Sequence, residues 1–202
     1  MPMTQLPNAQ GDLRPAAHAN AAEDVALLAR VAEDRDALAF ERLYRAYRPR
    51  LRHFLLRMTR RPALAEEVLD ETMLVVWRKA SAFDGTSKPS TWIFAIAWRQ
   101  ALKALRKLDE PGQPFDADEL RSPAEGPEGE LHRQQLGMHL RAAMAGLSPD
   151  HRAVIELTYF HGYACREIAE IMRCPVDTVK TRMFYARRRL KSLLIPTRGE
   201  AP

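Results

Sequence analysis

From Glu23 onward, apolar residues recur at three- and four-residue intervals. Phe40, Leu43, Tyr44, Tyr47, Leu51, Phe54, Leu55 and Met58 trace one stripe over about five turns, the signature of an amphipathic helix. Pro49 falls inside that run and is expected to kink it, and Pro62 closes it. A second helix is predicted from about Ala63 to Ala80. The stretch FDGTSKPS, with Gly85 and Pro89, then reads as a loop. Ser90 can cap a third helix running from Thr91 to about Lys107.

Periodicity fails at both ends of this region. Residues 1–22 are rich in Ala, Pro, Asn and Gln and are expected to be disordered. Residues 109–129 hold four prolines, three glycines and many carboxylates, the composition of a flexible acidic linker. Fully extended, ~20 residues reach roughly 70 Å, about two turns of duplex DNA. The helical pattern resumes near Glu130: Leu136, Leu140, Ala143 and Leu147 mark one helix, and Ser148-Pro149 begins the next. With no strand-like alternation of any length, the expected class is all-α: two small helical domains, 23–108 and 130–196, joined by the linker.

The C-terminal domain ends in REIAEIMRCPVDTVKTRMFYARRRLKSLL, a short helix, a tight turn and a longer basic helix in helix-turn-helix order. In the longer helix, Val179, Met183, Ala186, Leu190, Leu193 and Leu194 form a core-facing stripe. Thr181, Arg182, Tyr185, Arg188 and Arg189 lie opposite, flanked by Lys180 and Arg187. Hydroxyl, phenol and guanidinium groups on an exposed helix face suit a DNA major groove. The net charge of +5 over 202 residues agrees with a polyanionic partner.

Two further helices carry opposite chemistry. In the third, Trp92, Arg99, Lys103 and Arg106 share a face, with Ile93, Ala97, Ala101, Ala104 and Leu108 on another. Cations beside aromatic rings can hold unstacked bases and their phosphates, although Trp92 and Phe94 taken alone fit a core better. No acidic residue between Ser90 and Lys107 neutralises the cations. The second helix instead groups Glu67, Asp70 and Glu71 around Leu74, an acidic patch suited to docking a basic partner. Cys165, Cys174 and His161 supply three metal ligands without a clear fourth, so neither metal nor cofactor is expected, and no catalytic set is evident. The chain has no signal-peptide pattern and no apolar run near the ~20 residues that span a bilayer, so a cytoplasmic protein without membrane insertion is expected.

The segments AFERLYRAYRPRL, AEEVLDETMLVVW and STWIFAIAWRQALKALRK resemble the conserved-region-two module of bacterial extracytoplasmic-function (ECF) sigma factors. LSPDHRAVIELTYFHGYACREIAEIMRCPVDTVKTRMFYARRRL resembles their region-four module. The resemblance implies an alternative sigma factor whose partners are core RNA polymerase, promoter DNA and an anti-sigma factor. It assigns the Glu67, Asp70 and Glu71 surface to the polymerase clamp. It places Lys88, Ser90, Thr91, Arg99 and Lys103 near the melted −10 strand, and Thr178, Lys180, Thr181, Arg182 and Tyr185 at the −35 element. Arg106 and Arg188 extend these two sets from the helix faces described above. Three positions depart from the family pattern: Trp98-Arg99 replaces a basic residue followed by asparagine, and Asp70 replaces a glutamine. The competing expectation is a stand-alone helix-turn-helix regulator that binds duplex DNA without polymerase.

Overall fold

The computed structural model describes residues 21–108 and 137–194, apart from 138 and 141. The expected linker, Leu136 and residues 1–20 lie outside the described residues. Ala21 and Ala22, assigned above to the N-terminal extension, begin a helix instead.

Helix α1 (Ala21–Asp34) is separated from α2 (Ala37–Thr59) by a turn in which Arg35 adopts φ 52°. Asp36 fixes the restart: its Oδ1 accepts from the N–H groups of Leu38 and Ala39 at 2.9 and 3.0 Å, and Arg30 grips its other oxygen. Two orphan amide donors are thereby satisfied. Helix α2 continues through Pro49 for 23 residues. Pro49 and Arg45 are both exposed, so the carbonyl that proline cannot serve lies on the solvent side. The helix stops at Arg60, which adopts φ 59° and returns its N–H to the Leu56 carbonyl at 2.8 Å.

Helix α3 (Pro62–Lys79) follows, then one 3-10 turn (Ala80–Ala82) and helix α4 (Pro89–Leu108). Pro89 opens α4, a position where its missing N–H costs nothing. Ser90 therefore lies within the helix rather than capping it, which corrects the sequence expectation. Leu43, Tyr47, Leu51, Phe54 and Met58 of α2 pack fully buried against Leu69 and Val76 of α3 and Ile93 and Ala97 of α4.

The second module comprises α5 (Pro149–Ile155), which widens into a π-helical turn (Glu156–Phe160), then α6 (Cys165–Met172) and α7 (Val176–Leu194). A preceding helical stretch ends at residue 145. Gly162 makes the bend before α6 with φ 71°, where a side chain would be strained. The α6–α7 turn uses Arg173 at φ 51°. The Pro175 carbonyl accepts from the Val179 N–H at 3.2 Å, so proline sits just before Val176, where its missing N–H costs no helical bond. Val179, Met183 and Ala186 are buried and Leu190 partly so, but Leu193 and Leu194 are exposed. The stripe fades because α7 outruns its core; Leu193 only covers Gly146, whose added Cβ would lie 3.2 Å away. Leu140 is likewise exposed, whereas Ala143 and Leu147 are buried as expected. Strands do not occur among the described residues.

Candidate nucleic-acid interface

Helix α7 projects Lys180, Thr181, Tyr185 and Arg188 into solvent, with Thr178 half-buried in the first turn. Exposed Phe184 packs edge-on against Tyr185 at 5.4 Å, an apolar contribution that the sequence reading omitted. Lys180 reaches back to Asp177 at 2.9 Å. Arg182 behaves differently from its neighbours. Its guanidinium pairs with Asp150 of α5 at 2.5 Å, lies 3.6 Å from Cys174 Sγ and is only 26% exposed. One edge of the fork is thus already occupied by a carboxylate, and the residue braces α7 against α5.

On the first module, Arg99, Lys103 and Arg106 stand exposed along α4, and a shallow groove runs over them and Leu102. The loop before α4 is preformed: Asp84 Oδ1 accepts from Thr86 N at 3.0 Å and from its hydroxyl at 2.7 Å. These bonds hold the Asp84 carboxyl below its usual range. Trp92 is half-buried and meets Phe83 edge-on at 5.6 Å, while Phe94 and Trp98 are buried. Ser90 and Thr91 are also buried, and the Thr91 hydroxyl has no hydrogen-bond partner among the described residues. The six strand-contact candidates therefore divide: Arg99, Lys103 and Arg106 are open cations, whereas Ser90 and Thr91 are covered and Lys88 is engaged.

The cover over Ser90 and the partner of Lys88 come from the helix-turn-helix module, which sequence reading did not foresee. Lys88 Nζ pairs with Glu167 Oε1 of α6 at 2.9 Å. Ser90 hydrogen-bonds the Tyr163 phenol, whose ring lies 5.3 Å from Phe94 and which also accepts from Arg50 at 3.3 Å. Burial pushes that phenol up to about 12. Partial burial first, and then the like charge of Arg173, lowers the Arg99 pKa. His161 sits among Phe94, Phe54 and His53 at ring distances of 5.0, 5.9 and 5.7 Å.

Arg152 of α5 closes the seam from the other side. Buried to 7% exposure, it donates to the carbonyls of Met144 and Leu147 at 3.1 and 2.9 Å. It also reaches across to Met58 and Arg57 at 3.1 and 3.4 Å. Those last two carbonyls belong to the final turn of α2, where acceptors lack helical partners and the dipole is negative. One guanidinium thus serves the C-termini of helices in both modules. Burial lowers its pKa to about 10, so it stays charged near neutrality.

The acidic face of α3 points away from this seam. Glu67 and Asp70 are exposed, Leu74 is 45% exposed and Glu71 is partly covered. Tyr44 donates to Asp70 at 3.0 Å, which fixes the carboxylate. Glu66, one residue away, is taken by Arg52 at 2.5 Å and Arg48 at 3.4 Å. Glu67 and Glu71 make no ion pair among the described residues, leaving their charge to the surface. The cysteines are both free thiols, and no cluster of metal-ligating side chains occurs among the described residues.

An acidic face and a basic-aromatic helix on one module, tied to a helix-turn-helix, are the features of a DNA-binding protein of the transcription machinery. The Sigma-70 region 2 model matches residues 43–110, and the Sigma-70, region 4 model matches residues 138–190. The chain is 33% identical over 170 residues to the ECF RNA polymerase sigma factor RpoE of Cereibacter sphaeroides, covering 83% of this chain and 92% of that protein. Against the ECF RNA polymerase sigma factor SigL of Mycobacterium tuberculosis it is 29% identical over 160 residues, 79% of this chain and 90% of the relative. Its fold resembles the sigma factor RpoE in complex with the anti-sigma factor NepR from Bartonella quintana. The TM-score is 0.64 at 25% identity, over 79% of this chain and 98% of that one. The chain belongs to the ECF sigma factors of RNA polymerase, the alternative sigma factors that act in transcription initiation.

Proposed function

We propose that residues 23–108 and 130–196 work as two units that place core polymerase on a promoter. The α3 face formed by Glu67, Asp70, Glu71 and Leu74 docks on core polymerase. Helix α4 and the loop before it hold the melted −10 strand through Lys88, Ser90, Thr91, Arg99, Lys103 and Arg106. On α7, Thr178, Lys180, Thr181, Tyr185 and Arg188 face the −35 duplex, with Arg182 bracing the helix and contacting phosphate. Extruding a base from the stack costs a few kcal/mol, which stacking and a pocket can offset. The protein supplies binding energy and no catalysis of its own. It acts in the cytoplasm, consistent with the lack of a membrane-length apolar helix among the described residues.

A single observation carries the reading: one module presents carboxylates on α3 and unneutralised cations on α4. A subunit that bridges polymerase and melted DNA needs both, whereas a stand-alone regulator that uses its first domain only to dimerise needs neither. The relative bound to the anti-sigma factor NepR supports a protein captor of that kind here. Reconstitution with core polymerase tests the assignment. Promoter-dependent transcripts are expected, and operator binding that ignores polymerase would instead establish a stand-alone regulator.

A further inference from the structure

Helix α7 carries six cations, Lys180, Arg182, Arg187, Arg188, Arg189 and Lys191, and one carboxylate, Asp177. That carboxylate stands in the first turn and is 89% exposed. Its Oδ1 accepts from Lys180 Nζ at 2.9 Å, and the bond raises the Lys180 pKa, so the ammonium stays charged. An ion pair this open to water adds little to stability. Beside DNA it works against binding, because a carboxylate repels phosphates and offsets a neighbouring cation. It becomes favourable only where a base edge offers it a donor.

The first turn of a recognition helix is the part that reaches base edges. Asp177 heads a line continued by Lys180, Thr181, Phe184 and Arg188 at three- and four-residue spacing, every member exposed. Resting on the proposed placing of α7 at the −35 duplex, we infer that Asp177 and Lys180 together read one C·G base pair. The carboxylate accepts from the cytosine N4 amino group, and the ammonium donates to guanine O6 and N7.

Within a C·G pair the N4 donor and the O6 acceptor lie side by side in the major groove. An acceptor and a donor already hydrogen-bonded to each other present the complementary order. Reversing the pair sets O6 against the carboxylate. An A·T pair also offers a donor beside an acceptor, but adenine N7 adjoins N6 and turns a lone pair on the carboxylate. On thymine the ammonium finds O4 alone, next to a methyl group. Arg182 shows the contrasting arrangement. Its carboxylate, Asp150, belongs to α5, so that pair joins two helices, whereas the Asp177–Lys180 pair lies within one turn of α7.

The test uses the full chain assembled with core polymerase, which selects from duplexes carrying two randomised blocks about two turns apart. The bound DNA is sequenced, and thermal melting of each free variant confirms its fold. The parent is expected to enrich C·G about tenfold at one position of the upstream block. Asp177→Ala should erase that enrichment and leave the other positions of the block selected. Asp177→Asn should shift it to A·T, because an amide both accepts and donates and so matches adenine N6 and N7. If Asp177→Ala melts early, Asp177→Asn, which still suits a helix first turn, decides. Enrichment that weakens evenly over the block, or a C·G position unchanged in both variants, overturns the base-pair reading and leaves Asp177 a helix-end charge. The remaining upstream positions then stay selected, so the placing of α7 survives. A parent that enriches only the downstream block refutes that placing, and the base-pair reading with it.

Discussion

Glu156 and His161 flank the seam and titrate in opposite senses. Burial pushes the Glu156 carboxyl up to about 7 from its ordinary 4.5, against the pull of Arg57 and Arg152. Burial likewise drives His161 down to about 3 from 6.5, helped by His53 and Arg50. Between about pH 4.5 and 7 the native carboxyl holds a proton that the unfolded one releases, so Glu156 stabilises the native state as pH falls. Between about pH 3 and 6.5 the unfolded imidazole takes a proton that the native one refuses, so His161 destabilises it as pH falls. Each slope approaches 1.36 kcal/mol per pH unit, and the two offset where their windows overlap. Glu156→Gln removes the first slope. Its unfolding free energy should then drop by about 2 kcal/mol more than the parent's between pH 6.5 and about pH 5. His161→Gln should change in the opposite direction by a similar amount. Urea denaturation followed by circular dichroism at a series of pH values reads both. If Glu156→Gln and the parent give parallel profiles, the burial argument fails.

Three other outcomes are expected. Arg182→Ala should weaken duplex binding by about 1 kcal/mol, evenly over all sequences, because Asp150 occupies its guanidinium; a loss confined to one base pair in competition assays would make it a base reader. Reversing Asp70 and Glu71 together to lysine should reduce core-polymerase binding while leaving the helical signal intact, since both lie at the surface of α3; unchanged co-elution with polymerase would remove the docking face from that helix. Asp36→Ala should cost about 1 kcal/mol by stripping the cap of α2, seen as a lower thermal midpoint.

Much of the architecture was legible because helical period and punctuation agree. The α2 stripe, the Pro62 start and the Arg173–Pro175 turn all lie where local chemistry puts them. Ser90 misled because Pro89 starts α4 one position earlier, and the far end of α7 misled because periodicity cannot tell where a core stops. The charges were readable as types but not as pairs. Arg182 and Asp150 are 32 positions apart in the chain, as read from their numbers, and only folding brings them together. The same holds for Ser90 with Tyr163 and for Arg152 with the end of α2, so the seam left no local pattern to find. Family resemblance supplied the assignment of faces to −10 and −35 elements, which composition alone leaves open.

Footprinting the chain bound to core polymerase on a promoter that it selects tests the central claim most directly. Two protected patches about two helical turns apart are expected, with permanganate-reactive thymines only in the downstream one. A single protected duplex patch, equally strong without polymerase and free of reactive thymines, would contradict the account.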